Sequence, residues 1–146
     1  MDEIAQVFRE SLARENDLII STGGLGPSED DLTIESIGKA LGRKVELNPE
    51  AVEMIRSKCL ELGVEPTPRR LRMARMVEGS TPLSNPKGMA PGMLVKEGPR
   101  RIVALPGVPE EMKAIFEEHV AEIIERETPT KFLAKIGRAH VELQSR

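Results

Sequence analysis

The stretch Ser21-Thr22-Gly23-Gly24-Leu25-Gly26-Pro27-Ser28-Glu29-Asp30-Asp31-Leu32-Thr33 gathers residue types that do phosphate chemistry. Gly23, Gly24 and Gly26 let backbone N–H groups approach an anion closely, and a helix start behind them adds a positive dipole. The spacing is not a Walker A loop, which needs Gly-Lys-Ser/Thr. Nor is it a dinucleotide fingerprint, because Glu29 stands where the third glycine belongs. Glu29, Asp30 and Asp31 crowd the same place, and three acids beside a bound anion repel it unless a cation intervenes. That combination points to Mg²⁺ or Mn²⁺ bridging carboxylate and phosphate. A plainer reading stays open: a tight turn in which Asp30 only caps the next helix.

The remaining reactive side chains are few. His119 has no second histidine at metal spacing and reads as a boundary residue among Glu117, Glu118 and Glu122. Cys59 falls on an apolar stripe and reads as core. Arg69, Arg70, Arg72 and Arg75, with Lys58, form a basic patch. It is either a solvated helix face or a set of cations within reach of a neighbour's phosphate.

Composition narrows the field. The 146 residues carry 21 Lys+Arg against 24 Asp+Glu, a formal charge of −3, and 39% are apolar, enough for one cored domain. With three Phe, no Trp and no Tyr, the chain has almost no rings on which to stack bases. Its mild acidity also argues against phosphate-backbone binding, so no nucleic-acid partner is expected. A single cysteine excludes an internal disulfide framework and makes a cytoplasmic setting the default. No run approaches the ~18 apolar residues of a membrane span, and the opening residues do not read as a signal peptide.

The elements that must position the glycine-rich stretch follow from periodicity. Ile4, Val7, Phe8 and Leu12 predict a first helix, and Leu18 to Thr22 a buried parallel strand. Asp30 and Asp31 open a second helix with Ile34, Ile37 and Leu41 on one face and Gly42 as its stop. Val45–Leu47 reads as a brief extended piece. Asn48-Pro49 and Thr67-Pro68 each pair a cap with a proline at the first helical position. The first starts a helix with Val52, Ile55, Cys59 and Leu62 on its stripe; the second starts a shorter helix reaching about Met76. Met93–Val95 and Ile102–Leu105 read as a hairpin across Gly98-Pro99, and Pro109 opens a long helix ending near Thr128. Strands alternating with helices indicate an α/β layered fold.

Three ordered blocks carry a resemblance. They are Asp17-Leu-Ile-Ile-Ser-Thr-Gly-Gly-Leu-Gly-Pro-Ser-Glu-Asp-Asp-Leu-Thr33, Asn85-Pro-Lys-Gly-Met-Ala-Pro-Gly92 and Leu105-Pro-Gly-Val-Pro-Glu-Glu-Met112. Together they resemble the molybdopterin-binding (MoaB/Mog-like) superfamily, and more closely its branch of N-terminal domains of CinA-type competence/damage-inducible proteins. The resemblance implies a three-layer α/β/α fold with a mainly parallel sheet and a C-terminal hairpin. It further implies metal-dependent hydrolysis of a nucleotide pyrophosphate such as ADP-ribose, with a divalent metal (Mg²⁺ or similar) and K⁺. The alternatives are a module that holds molybdopterin or a nucleotide without turnover, and an inactive fragment. A small nucleotide or pterin phosphate is the implied partner, in a homo-oligomer when the protein is complete.

By the same resemblance, Asp31 and then Asp30 are the catalytic and metal-binding candidates. Gly23, Gly24, Gly26, Ser28 and Thr33 belong to the phosphate loop, Asn85, Gly88, Ala90, Pro91 and Gly92 to the opposite wall, and Pro106 and Gly107 to the floor. Two positions depart from the pattern. Ser28 replaces a threonine and keeps the hydroxyl, whereas Met89 replaces a small hydroxyl residue and removes a hydrogen-bond donor. The family's opening strand and its Gly-Asp/Asn-Glu block do not precede Asp17. Residues 1–135 are therefore expected to be a domain incomplete at its N-terminus, with the Leu18–Thr22 strand at an open edge. Residues 136–146 fit none of these patterns and read as a non-native tail.

Overall fold

The structure is a computed structural model, and it describes residues 1–127. The tail at 136–146, and with it the expected boundary at 135, lies outside the described residues.

Local sequence accounts for most of the helices. Helix α1 spans Asp2–Ala13 and buries Ala5 and Phe8. Helix α2 spans Thr33–Leu41 and stops at Gly42, whose φ of 66° is the left-handed conformation that glycine adopts without steric cost. Helix α3, Pro49–Leu62, begins where the Asn48 side chain accepts a hydrogen bond from the Ala51 N–H and ends at left-handed Gly63. Helix α4, Pro68–Leu71, has Thr67 in the same capping role, accepting from the Arg70 N–H. It does not reach Met76. A 3₁₀ turn at Arg72–Ala74 leads into a strand, β3 (Arg75–Val77), which pairs antiparallel with β2 (Val45–Leu47). Leu62 departs from the expected stripe and is exposed, while Ile55 and Cys59 are buried.

The main sheet has four strands in the order β1-β6-β5-β4. Here β1 is Leu18–Thr22, β4 Thr81–Leu83, β5 Gly92–Glu97 and β6 Arg100–Leu105. The β1–β6 pairing is parallel; β5–β6 and β4–β5 are antiparallel. The expected mainly parallel sheet is thus mixed among the described residues. The tight turn at Gly98-Pro99 can only join antiparallel neighbours, whereas β1 reaches β6 across most of the chain. Among the described residues β1 pairs on one side only, so it is an edge strand. It is not the fully buried one that its apolar run suggested, and Ile20 is 41% exposed.

Side chains alternate across β5 and β6. Met93, Val95, Ile102 and Ala104 join Phe8, Ile34, Ile37, Ile55 and Cys59 in one apolar cluster. On the other face Val103 and Leu105 meet Leu83, Ile115 and Val120. Helices α1, α2 and α3 therefore cover one face. The other is covered by the C-terminal helical run, which comprises α5 (Pro109–Ile115), a π turn (Phe116–Val120) and α6 (Ala121–Glu127). This is the three-layer α/β/α arrangement. Each fully buried aliphatic side chain contributes about 1.5–3 kcal/mol to it. Among the described residues, no helix is long and apolar enough to cross a membrane.

Candidate functional site

At the carboxyl end of β1 the chain turns through Gly23 (φ 92°) and Gly24 (φ 71°). The Gly23 N–H donates to the Leu105 carbonyl at 2.8 Å, which ties this turn to the end of β6. Thr33, the first residue of α2, closes the loop from the other side. Its hydroxyl donates to the Gly23 carbonyl at 2.8 Å, and its N–H to the Gly24 carbonyl at 3.3 Å. A Cβ on Gly24 would lie 2.1 Å from that hydroxyl, so the glycine makes room for the clasp. The Gly24, Leu25 and Gly26 N–H groups have no hydrogen-bond acceptor among the described residues.

The acids separate. Asp31 turns its carboxylate back toward the loop, where Oδ2 accepts the Ser28 N–H at 3.0 Å. The Asp31 N–H in turn donates to the Ser28 carbonyl at 3.1 Å. A Cβ on Gly26 would stand 2.7 Å from Oδ2, so this carboxylate sits against bare backbone. Helix α2 begins after this turn, with Leu32 as its N-cap and no side-chain cap. Neither aspartate therefore opens the helix as expected, because the Ser28–Asp31 turn uses the carboxylate first. Asp30 and Glu29 are exposed, and the structure does not bring Asp30 to the position of Asp31.

Opposite the glycine loop, Asn85 is buried. Its amide donates to the Ala90 carbonyl and to Glu111 Oε1, both at 2.8 Å, and its oxygen accepts the Lys87 N–H. A cleft of about 510 Å³ lies between the two walls. Gly23, Gly24, Gly26 and Asp31 line one side, Gly88 and Ala90 the other, and Pro106 and Gly107 the floor. The three sequence blocks, far apart in the chain, meet here. Gly107 packs so tightly on the glycine loop that a Cβ there would come 3.2 Å from the Gly23 Cα.

Six of the proposed residues, the exposed Asp30 among them, do not line the cleft. Thr33, Asn85 and Gly92 brace it from behind, Gly92 with its Cα facing the Ala104 carbonyl. Ser28 lines a neighbouring groove. Pro91 lines a narrow recess that also contains Gly24, Gly26 and Asp31. Sequence reasoning missed Glu111, which lines the cleft and fills the space that a Gly88 side chain would occupy. The Pro-Glu-Glu sequence held the signal, but spacing alone does not say which glutamate a helix turns inward. Met73 and Met89, with Leu25 and Val108, supply the large apolar side chains of the lining, and Met89 leaves the wall without the hydroxyl expected at that position.

A divalent ion fits this donor set in one way only. No group of three or more His, Cys, Asp or Glu side chains converges among the described residues, so a closed protein cage is not built. Asp31 and Glu111 share the cleft, and Mg²⁺ is commonly held by one or two carboxylates together with substrate phosphates. His119 plays no part. It bonds the Ser84 hydroxyl at 3.0 Å on the other side of the sheet, the boundary role expected of it.

The cleft is built from the ends of β1 and β6 and the loop after β4. A family model described as a probable molybdopterin binding domain matches residues 1–126, and the chain belongs to that family. Within it the chain is of the CinA type. The crystal structure of the CinA protein with unknown function from Thermoplasma acidophilum is 39% identical, with a TM-score of 0.75 over 84% of this chain and 71% of that one. A protein of Caldivirga maquilingensis is 50% identical over 123 residues, and one of Pyrobaculum aerophilum 45% over 134 residues. These matches cover 84% and 92% of this chain but 48% and 50% of the relatives, so it spans about half their length.

Proposed function

We propose that the cleft binds a nucleotide pyrophosphate of the ADP-ribose type and hydrolyses it with the help of a divalent metal. The observation that carries this reading is the single anchored carboxylate, Asp31, beside the unpaired N–H groups of Gly24–Gly26. Those N–H groups donate to phosphate oxygens, as backbone amides at glycine-rich loops do. Water adds to one phosphorus, the bond from that phosphorus to the bridging oxygen breaks, and AMP and ribose 5-phosphate leave. Asp31 and Glu111 would hold a metal shared with the substrate. When bound, it would supply charge neutralisation on the phosphoryl oxygens and a more acidic water. Asn85 keeps Glu111 turned into the cleft through its 2.8 Å amide bond. Asp30, exposed, would act only as a peripheral ligand or through outer-sphere water.

The test is direct. The purified chain, given ADP-ribose and Mg²⁺ with and without K⁺, is expected to release AMP, and Asp31→Ala to abolish the release. Full turnover in Asp31→Ala overturns the assignment. A second reading, a module that holds molybdopterin without turnover, is favoured by the family match. Tight pterin binding with no AMP release would establish it. We expect the complete protein to be a cytoplasmic homo-oligomer.

A further inference from the structure

We propose that the arginine-lined groove beside the cleft is an anion subsite for a second phosphate of the bound ligand, a phosphomonoester distinct from the phosphate held at Gly24–Gly26. The groove, about 780 Å³, runs between the Pro27-Ser28-Glu29 turn and Arg69, Arg72 and Arg75. In a chain of net charge −3, a lining of three arginines against Glu29 is a local reversal of sign. Arg75 is steadied by Glu35, its Nε 3.1 Å from the carboxylate. Arg69 and Arg72 have no carboxylate within ion-pair distance among the described residues. Arg70, between them, is spent on the Glu65 carbonyl and does not line the groove.

Continuity with the cleft turns this patch into a subsite. Arg72 and Arg75 also line the narrow recess that holds Gly24, Gly26 and Asp31, and those three residues line the cleft in turn. The cleft and the groove therefore adjoin across this recess of about 20 Å³, and a ligand seated in the cleft can extend a charged group toward the groove. Guanidinium groups present paired donors that match phosphate oxygens, and unpaired ones offer them without first breaking an ion pair. The proposal rests on the reading above for the position of the first phosphate.

Calorimetric titration of two ligand pairs tests it: AMP against adenosine 3′,5′-bisphosphate, and ADP-ribose against its 2′-phosphate. In at least one pair the extra phosphate is expected to tighten binding about tenfold, the order of one charge-assisted hydrogen bond. The gain should fade as salt rises and vanish in Arg69→Gln/Arg72→Gln; Arg69→Gln alone, at a residue that lines only the groove, should reduce the gain and leave the simpler ligand's affinity unchanged. Equal affinities within both pairs, or a gain that survives in the double variant, overturn the subsite while ADP-ribose binding leaves the cleft reading intact. If no nucleotide binds, inorganic pyrophosphate decides. Binding that the double variant weakens keeps the subsite and sinks the nucleotide reading; absent or unaltered binding sinks both.

Discussion

Asp31 has two tasks that one substitution can separate. Its Oδ2 closes the Ser28 turn, and its charge faces the cleft. Asp31→Asn keeps an oxygen for the Ser28 N–H and removes the charge. AMP release by this variant should therefore fall at least about a hundredfold, the order a single positioned catalytic group supplies, with the melting temperature little changed. Gly88→Ala tests Glu111 from outside. The new Cβ would lie 1.7 Å from Oε1, and the long glutamate yields before the backbone does. Activity should match that of Glu111→Gln while urea unfolding stays near the wild-type midpoint; a folded Gly88→Ala protein with full activity would remove Glu111 from the site. The resemblance ranks Asp31 ahead of Asp30, but two adjacent, identical residues do not themselves say which one enters the cleft. The Ser28 N–H makes the choice.

At the scale of elements, short signals were reliable where they act locally. Asn48 and Thr67 cap α3 and α4, and Gly42 and Gly63 stop α2 and α3 in the left-handed conformation. Asn48→Ala should therefore cost about 1 kcal/mol, read as a lower urea midpoint with unchanged slope. Ile55, fully buried between α3 and the sheet's apolar cluster, should cost about 2–5 kcal/mol on truncation to alanine. Strands β3 and β4 were not legible. Each is three residues long, and β4 contains Pro82, so neither shows a period; pairing with β2 and β5 makes them strands. The π turn at Phe116–Val120 was hidden for a related reason, because the apolar spacing around it still fits a helix.

For the whole molecule, the outer side of β1 is the main hazard. Among the described residues no strand pairs with that side, and with Ile20 41% exposed it offers a template for another strand. The chain should therefore self-associate with concentration in sedimentation experiments, and Ile20→Lys should shift it toward the monomer. A wild-type chain that stays monomeric at high concentration would show this edge to be covered.

The sequence by itself determined the family, the α/β class, the caps at Asn48 and Thr67, the stops at Gly42 and Gly63, and the three blocks that form the cleft. Those features rest on local conformational preference and on residue types that few other folds require in that order. Only the tertiary structure decided which members of each block face the cleft. It turned Asp31 and Glu111 inward, used the Gly23 N–H, Thr33 and Asn85 as bracing, and left Asp30 in solvent. It also joined the arginine groove to the cleft through the recess between them. The physical reason is that a side chain's direction is set by hydrogen bonds and packing from elements distant in the chain. No spacing along one segment encodes them.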